Sequence, residues 1–350
     1  MKLILTLFFI TQTSFLPSQY KFPQDHFAHN DYQTEWWYYT GHIKTEDNKE
    51  FGYELTFFKV SWPEYKLQSP NDWIIKPIYL AHFAISDKNN KKFYYDEKLN
   101  RPIGEISGAS LKEYYVWNED WSVKLTDGIH YLSAQMKNFE ITLKLTPTKL
   151  PVIHGVNGIS LKGKEKNNFS FYYSITRLNT EGKIKIKEKT YRCDGISWMD
   201  HEWMNNRSFY GSKTIARWDW FSLQLNNNTE IMFYILRDKN QNIKSVSSGS
   251  IIYSNGVKKH LFLHDVNIKI INKWKSPKSK GVYPIKWNIS IPKEKINLTI
   301  TPFFKSQELN TKKTSRIIYW EGAVSIFGQM NDKDISGLGY VEMTGYANYK

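Results

Sequence analysis

The chain has 350 residues, enough for two ordinary domains, and 16% of them are aromatic. Its only cysteine, Cys193, excludes an intramolecular disulfide, and the sequence past the N-terminus has no apolar run of about 18 residues that would predict a transmembrane helix. The net charge of +14 raises the question of nucleic-acid binding, but no helix-turn-helix, zinc-finger or RRM signature occurs.

The first 18 residues have the character of a secretory signal peptide. Lys2 is followed by an apolar run over residues 3–10 and by polar residues over 11–14. This order predicts a signal peptide over residues 1–18 and therefore a secreted or periplasmic protein. An uncleaved apolar tail is the alternative.

Two histidines lie shortly after this segment, each beside an aspartate. His26 and His29, with Asp25 and Asp31, have residue types that can bind zinc. No H-E-x-x-H or C-x-x-C pattern accompanies them, so we predict no metal site here. Contact with a cavity mouth or with a second domain is the preferred interpretation.

Residues 34–42 (TEWWYYTGH) place a carboxylate among large aromatic side chains. In an extended strand Glu35, Trp37 and Tyr39 share one face. Both faces are aromatic, so we expect both to be covered and Glu35 to be buried or at a cavity rim. Burial of a carboxylate costs several kcal/mol unless it is paired. Glu35 is therefore a candidate catalytic group or half of a structural ion pair.

Apolar residues fall on every second position in several segments, which predicts β-strands. Examples are residues 51–57, 141–145, 289–291 and 296–300, and turn signals such as Asn255-Gly256 separate them. Many short antiparallel strands predict an all-β fold, and closure into barrels removes exposed edges. The strand patterns stop near residues 203–210, which predicts an N-terminal domain over 19–205 and a C-terminal domain over 206–350.

His82 lies in the apolar segment 79–85. It is either a hydrogen-bonded core histidine or a polar anchor in a ligand cavity.

Four lysines alternate along one predicted strand: Lys183, Lys185, Lys187 and Lys189. This pattern is typical of a solvated sheet face or a protected edge. We therefore expect no nucleic-acid partner and infer no protein partner. Weak contact with an anionic membrane surface is the remaining alternative for the positive charge.

Residues 194–203 carry the second dense group of ionisable and aromatic residues. As a strand, this segment places Asp200 and Glu202 on the same face as Trp198, and His201 and Trp203 on the other. A histidine has a pKa suited to proton transfer, which makes His201 the best candidate general acid or base. A histidine fixed at a domain junction is the alternative.

Asp219 stands between Trp218 and Trp220. Partial burial would raise its pKa, unless Arg217 pairs with it. Asp219 is therefore a candidate proton donor or half of a structural pair.

Six segments together resemble the AttH-like/carotenoid 1,2-hydratase family: residues 34–42, 52–58, 81–84, 195–203, 218–221 and 339–346. The resemblance implies two lipocalin-like antiparallel β-barrel domains packed side by side and a hydrophobic small-molecule ligand. It also implies addition of water to an isoprenoid double bond. No P-loop or Rossmann fingerprint occurs in the sequence, so we expect no cofactor. The family's His-x-Trp motif corresponds to His201 and Trp203, and Asp219 is the nearest candidate for its acidic partner.

The hypothesis for catalysis combines these residues. Asp219 or Glu35 would protonate a double bond, a ring such as Trp203 would stabilise the cation, and His201 would activate water. The predicted substrate-binding residues are Trp37, Tyr39, His82, Trp198, Trp203, Trp218 and Trp220. The alternatives are a non-catalytic lipocalin-like carrier of a lipid or isoprenoid and, third, a secreted hydrolase.

Overall fold

The computed structural model describes residues 20–61, 77–165, 167–205 and 215–347. The predicted signal peptide lies outside them, and the predicted boundary after residue 205 falls at the edge of an undescribed stretch. Regular structure in these ranges consists of β-strands and the short 3-10 helices Gln24–His26, Leu263–Asp265 and Pro292–Glu294. Among the described residues, helices fall short of the length and hydrophobicity that crossing a bilayer requires.

The first sheet is antiparallel and contains thirteen strands: β1 (Thr34–Thr45), β2 (Glu50–Val60), β3 (Ile78–Asp87), β4 (Lys92–Asn100), β5 (Ser107–Ala109), β6 (Tyr115–Asn118), β7 (Trp121–Thr126), β8 (Ile129–Met136), β9 (Phe139–Pro147), β10 (Val152–Ile153), β11 (Ser160–Leu161), β12 (Phe169–Ile186) and β13 (Lys189–Met204). Their order is β4-β3-β2-β1-β13-β12-β9-β8-β7-β6-β5, with β10 and β11 paired to β12. The Asn118 side chain on β6 donates to the Tyr79 carbonyl on β3, at 3.1 Å, so the two ends of the sheet meet and the sheet curls into a barrel.

The second sheet is also antiparallel and contains ten strands: β14 (Arg217–Leu225), β15 (Glu230–Arg237), β16 (Ser248–Ile252), β17 (Lys258–Phe262), β18 (Asn267–Lys275), β19 (Val282–Ile291), β20 (Ile296–Pro302), β21 (Glu308–Thr311), β22 (Ile317–Met330) and β23 (Lys333–Thr344). Their order is β17-β16-β15-β14-β23-β22-β20-β19-β18, and β21 pairs with β22. The predicted all-β fold of two lipocalin-like antiparallel barrels is confirmed.

Each sheet encloses its own apolar core, and a third cluster lies between them. Trp37 and Tyr39 belong to the first core, and Phe221 and Trp287 to the second. The cluster between the sheets includes the side chains Tyr38, Tyr172, Trp198, Trp220, Tyr234 and Tyr340. Strands β1, β12, β13, β14, β15 and β23 therefore bury both of their faces, as the aromatic content of residues 34–41 predicts for β1.

The pairing of β1 with β13 decides which side chains meet the second sheet. Trp37 lies opposite His201, and these residues face the first core. Tyr38 lies opposite Asp200, and these side chains face the second sheet. Because the side-chain period of a strand is two, neighbouring residues of one motif separate into two environments.

Candidate functional site

A cavity of about 80 Å³ lies between the two sheets. We call it the intersheet cavity. Both sheets contribute to its lining, which consists of Trp36, Tyr38, Thr56, Phe58, His82, Lys162, Tyr172, Asp200, Glu202, Trp218, Trp220, Tyr234, Leu236, Ile317, Tyr319, Glu342 and Thr344. Aromatic walls with a few ionisable groups among them are typical of a small-molecule site.

Glu342 on β23 is a carboxyl group held at the cavity wall by two donors. The Trp218 indole donates to its Oε1 at 2.6 Å, and the Thr344 hydroxyl donates to the same atom at 3.2 Å. Burial raises the pKa of Glu342 to about 7, because the carboxylate form is poorly solvated, and the charge of Glu202 acts in the same direction. Both protonation states are therefore populated near neutral pH.

Asp200 on β13 accepts hydrogen bonds from three side chains. Tyr172 donates its hydroxyl to Oδ2 at 2.8 Å, the Trp198 indole donates to Oδ1 at 2.6 Å, and the Ser174 hydroxyl also donates to Oδ1. Burial raises the pKa of Asp200 to about 7 although these hydrogen bonds oppose the shift. The cavity thus contains a second carboxyl group that titrates near neutral pH.

Lys162 provides a positive charge among these acids. Its Nζ lies 2.8 Å from Glu202 Oε1, and each of the two side chains is only 5% exposed. The ammonium also lies 4.4 Å from the centre of the Tyr234 ring, a cation–π distance. Burial opposes the charged form, but Glu202 and its neighbours raise the pKa of Lys162 above its ordinary value. Lys162 is therefore an ammonium.

His82 on β3 lies in the cavity wall with one nitrogen paired. Its Nδ1 is 2.8 Å from the Tyr319 hydroxyl, whereas its Nε2 is buried with no hydrogen-bond partner within the described ranges. Burial lowers the pKa of His82 to about 3, so the imidazole is neutral. A neutral imidazole with an unpaired nitrogen at a cavity wall can bind a ligand or a water molecule.

Two further carboxyl groups lie behind the cavity wall, one from each sheet. The Tyr38 hydroxyl donates to Glu321 Oε1 at 2.7 Å, and the Thr56 hydroxyl donates to Glu54 Oε1. Burial raises the pKa of both carboxyl groups well above the ordinary value, and the charge of Glu342 adds to the effect. Two carboxyl groups whose burial favours the neutral acid therefore lie behind the cavity wall.

Glu35 lies on the other face of β1, in a cluster inside the first barrel. Its Oε2 is 2.6 Å from Lys59 Nζ, and its Oε1 is 2.7 Å from His29 Nδ1 and 2.9 Å from His201 Nε2. Burial favours the neutral acid, but Lys59 and the two histidines hold the pKa of Glu35 well below its ordinary value. Glu35 is therefore ionised in this cluster, and its catalytic role stays a prediction.

His201 is fully buried in the same cluster. Its Nδ1 lies 3.1 Å from the Tyr173 hydroxyl, which in turn lies 2.6 Å from His26 Nδ1. Burial lowers the pKa of His201 to about 4, although Glu35 opposes the shift. The imidazole is neutral, as a general base must be, but it faces the first core rather than the intersheet cavity.

His29, Glu35 and His201 each offer a ligand atom within 4.8 Å of the others, as metal ligands do. From the sequence, we considered His26 and His29 with their neighbouring aspartates as metal ligands. In the structure His26 is instead hydrogen-bonded to Tyr173. Lys59 already supplies positive charge to Glu35, and the His29 backbone N–H donates to the same carboxylate at 2.9 Å. These donors satisfy the carboxylate, so we assign no metal to this cluster.

Asp219 lies in a third environment, inside the second sheet. Arg237 Nη1 is 2.6 Å from its Oδ2, and the Tyr346 hydroxyl donates to its Oδ1 at 2.6 Å. Burial raises the pKa of Asp219, and Arg237 opposes the shift. The partner considered in the sequence, Arg217, instead donates to the Gly345 carbonyl.

The three predicted catalytic residues are therefore not brought together. Glu35 and His201 share one cluster, Asp219 lies in another, and all three lie outside the lining of the intersheet cavity. Their catalytic roles stay predictions.

The predicted substrate-binding residues also divide between environments. His82, Trp218 and Trp220 line the intersheet cavity, and Trp198 lies between the sheets as the donor to Asp200. The remaining three, Trp37, Tyr39 and Trp203, belong to the first core. Trp203 stacks on His29 there, with ring centres 3.8 Å apart.

The sequence prediction missed Lys162, Glu342 and Tyr172 in the cavity lining, and Glu54 and Glu321 behind it. For three of them the sequence did hold a signal. Glu54, Glu321 and Glu342 are single acids within aromatic strand segments, as Glu35 is. Lys162 lies in a polar stretch with no such pattern.

The chain belongs to the AttH-like family, because the family profile matches residues 15–346. Among solved structures, it is similar to a Nitrosomonas europaea protein described as AttH (NE1406), with 29% identity, a TM-score of 0.84, and coverage of 95% of this chain and 98% of that one. It is also similar to kievitone hydratase from Nectria haematococca, with 16% identity, a TM-score of 0.71, and coverage of 95% and 94%.

A more distant similarity is to CghA in complex with Sch210972, with 9% identity, a TM-score of 0.55, and coverage of 91% and 90%. At these identities the last two comparisons show a shared fold. No curated protein sequence matches the chain.

Proposed function

We propose that the protein is a hydratase that binds an apolar small molecule in the intersheet cavity and adds water to its double bond. The observation that carries the proposal is Glu342, a carboxyl group with a pKa near 7 in an aromatic cavity. Such a group holds a proton at neutral pH and can donate it, which an ordinary glutamate cannot do. Similarity to kievitone hydratase supports the reaction class.

Glu342 is the proton donor in this mechanism. Its Oε1 accepts both the Trp218 and the Thr344 hydrogen bonds, which leaves Oε2 to carry the acid proton. Transfer of that proton to one alkene carbon forms a C–H bond and leaves a cation on the other carbon. The faces of the cavity tryptophans stabilise positive charge through their π-electrons.

His82 is the base that completes the addition. A water molecule attacks the cationic carbon, and the new C–O bond makes its protons strongly acidic. In the tautomer whose Nδ1–H donates to the Tyr319 hydroxyl, Nε2 of the neutral imidazole has a free lone pair and accepts one of them. A low pKa suits this step, because an oxonium ion needs only a weak base. Transfer of that proton back to Glu342 through solvent restores both groups, so the net reaction consumes one water molecule.

A carrier without catalytic activity is the second candidate, because the same cavity can retain a lipid or isoprenoid. Purification under native conditions followed by mass spectrometry would identify the bound molecule. Incubation of that molecule with the protein in ¹⁸O-labelled water then separates the two functions. The hydratase yields an alcohol that contains ¹⁸O, and Glu342→Gln yields none. Recovery of the unchanged ligand from the wild type would refute the hydratase and favour the carrier.

A further inference from the structure

We propose that Lys162 anchors a neutral oxygen of the ligand, so that the intersheet cavity takes an apolar molecule carrying a carbonyl or hydroxyl group. The inference concerns the same cavity as the proposed function and rests on its binding of an apolar molecule. It adds the chemical class of that molecule. A pure hydrocarbon and a carboxylate are both excluded as preferred ligands.

Lys162 is a buried ammonium with spare hydrogen-bond donors. Its side chain is 5% exposed, and its one ion-pair partner among the described residues is Glu202. An ammonium carries three N–H donors. Glu202 Oε1 offsets its charge at 2.8 Å but has no hydrogen-bond donor among the described residues, whereas the face of the Tyr234 ring, 4.4 Å away, can accept one N–H. At least one N–H is left, and a buried donor without an acceptor is costly.

The position of Lys162 directs this donor to the ligand. Lys162, Tyr172 and Tyr234 all line the intersheet cavity, so the ammonium stands at its surface. The two tyrosine hydroxyls are engaged elsewhere, Tyr172 with Asp200 and Tyr234 with the Leu161 carbonyl. The Tyr172 ring is a more distant π contact, 5.4 Å from the ammonium. Among the described residues no hydrogen-bond acceptor is left for Lys162, so its acceptor is an oxygen inside the cavity, either of water or of the bound molecule.

The surrounding charges select a neutral oxygen. Among the described residues, the lining contains Asp200, Glu202 and Glu342, whereas Lys162 is its one lysine or arginine. Glu202 already balances the ammonium at 2.8 Å. A ligand carboxylate would therefore add negative charge to a site rich in carboxyl groups, and like charges in a poorly solvated site repel strongly. A ketone or hydroxyl oxygen accepts the N–H without this repulsion.

Three probes with one carbon skeleton test the proposal on the wild-type protein. They are β-ionone, which is an isoprenoid ketone, the hydrocarbon with a methylene in place of its carbonyl, and the carboxylic acid of the same skeleton. Isothermal titration calorimetry gives the three dissociation constants. We expect the ketone to bind about 10-fold more tightly than the hydrocarbon, as a charge-assisted hydrogen bond allows. The acid should bind more weakly than the ketone.

The double variant Lys162→Met/Glu202→Gln tests the residue itself. It removes both charges together, so neither is left buried without its partner, and it leaves the hydrocarbon affinity unchanged. We expect the ketone-to-hydrocarbon ratio to fall to about 1. Lys149→Met is the matched control, because Lys149 is also a buried lysine paired with a glutamate but lies outside the cavity lining. Its ratio should equal that of the wild type.

The outcomes separate this inference from the proposed function. Equal binding of ketone and hydrocarbon by the wild type, tightest binding of the acid, or a ratio that survives the double variant would each overturn the Lys162 anchor. Absence of binding by all three probes would overturn the anchor and the cavity as ligand site together. If the wild type prefers the ketone over the hydrocarbon as expected but adds no water to any substrate, the Lys162 anchor is supported and only the proposed hydratase activity is refuted.

Discussion

Replacement of Glu342 by glutamine should abolish water addition and at the same time stabilise the folded protein. Glutamine keeps the size of the side chain and an oxygen that accepts the Trp218 and Thr344 hydrogen bonds. It removes the ionisable group. Catalysis loses its proton donor, and the fold loses the cost of a partly buried carboxyl group.

The pKa of Glu342 gives the size and the sign of the stability effect. It is about 7 in the folded protein against an ordinary value of 4.5. Below pH 4.5 both folded and unfolded chains hold the proton, and ionisation has no effect on stability. Between pH 4.5 and 7 the unfolded chain ionises first, so stability falls as pH rises. The difference of about 2.5 corresponds to about 3 kcal/mol above pH 7, at about 1.4 kcal/mol per pH unit.

Urea unfolding followed by tryptophan fluorescence measures the effect at pH 4.5 and pH 8. We expect the free energy of unfolding of Glu342→Gln to exceed that of the wild type by up to about 3 kcal/mol at pH 8 and by little at pH 4.5. Glu308→Gln is the matched control. Glu308 is buried, whereas Glu342 is partly buried, and Glu308 accepts hydrogen bonds from Ser276 and Ser279, so this variant should be less stable than the wild type at pH 8.

The activity of the same proteins completes the test. The wild-type rate should fall about tenfold per pH unit above pH 7, because the acid form of Glu342 is lost. The Glu342→Gln variant should be about 100-fold to 10,000-fold slower at pH 7, the usual contribution of a general acid. A variant that is less stable than the wild type at pH 8, or that keeps the wild-type rate, refutes the reasoning.

Four further predictions follow from the remaining groups. Glu35→Gln leaves the Lys59 ammonium buried without its carboxylate, so urea unfolding should show a loss of about 3–5 kcal/mol, and unchanged stability would contradict the ion-pair assignment. Asp219→Asn should lower stability but leave the rate per folded molecule unchanged; a folded, inactive variant would restore the catalytic role predicted from the sequence. His82→Phe should slow water addition while calorimetry shows ligand affinity retained, and loss of affinity alone would assign it to binding. Residues 1–18 fused to alkaline phosphatase should direct the enzyme out of the cytoplasm, and a cytoplasmic fusion would exclude the predicted signal peptide.

The all-β fold could be predicted from the sequence because strand periodicity is local. Alternation of apolar residues over 51–57 corresponds to β2, and that over 296–300 to β20. Which side chains lie on the same face of a strand was predictable for the same reason. Asp200 and Glu202 do lie on one side of β13, and His201 lies on the other. A period of two depends only on neighbouring residues.

The site could not be predicted, because the second sheet decides which face becomes a cavity. Both faces of β1 are aromatic, and no local pattern says which of them meets β14 and β23. The partners of the ionisable groups are also distant in the chain. Lys59 is 24 residues from Glu35, and the Arg237 that pairs with Asp219 is on the next strand. The sequence motifs therefore showed where ionisable residues are concentrated. They did not show which partner side chains offset the cost of burying them.

The Glu35 cluster and the intersheet cavity lie on opposite faces of β1 and β13. They differ in how far neighbouring side chains offset the cost of burying a carboxylate. Glu35 has an ammonium and two imidazoles within 3 Å, and its pKa is lowered, so the fold holds it in the charged state and gains from doing so. Among the described residues, Glu342 has only an indole and a hydroxyl as hydrogen-bond donors, and its pKa is raised. A protein under selection for stability alone would replace such a carboxyl by an apolar or amide group. A cavity-wall acid whose burial is not offset by opposite charges therefore indicates a catalytic role. An acid inside a barrel that is fully paired with cations indicates a structural role.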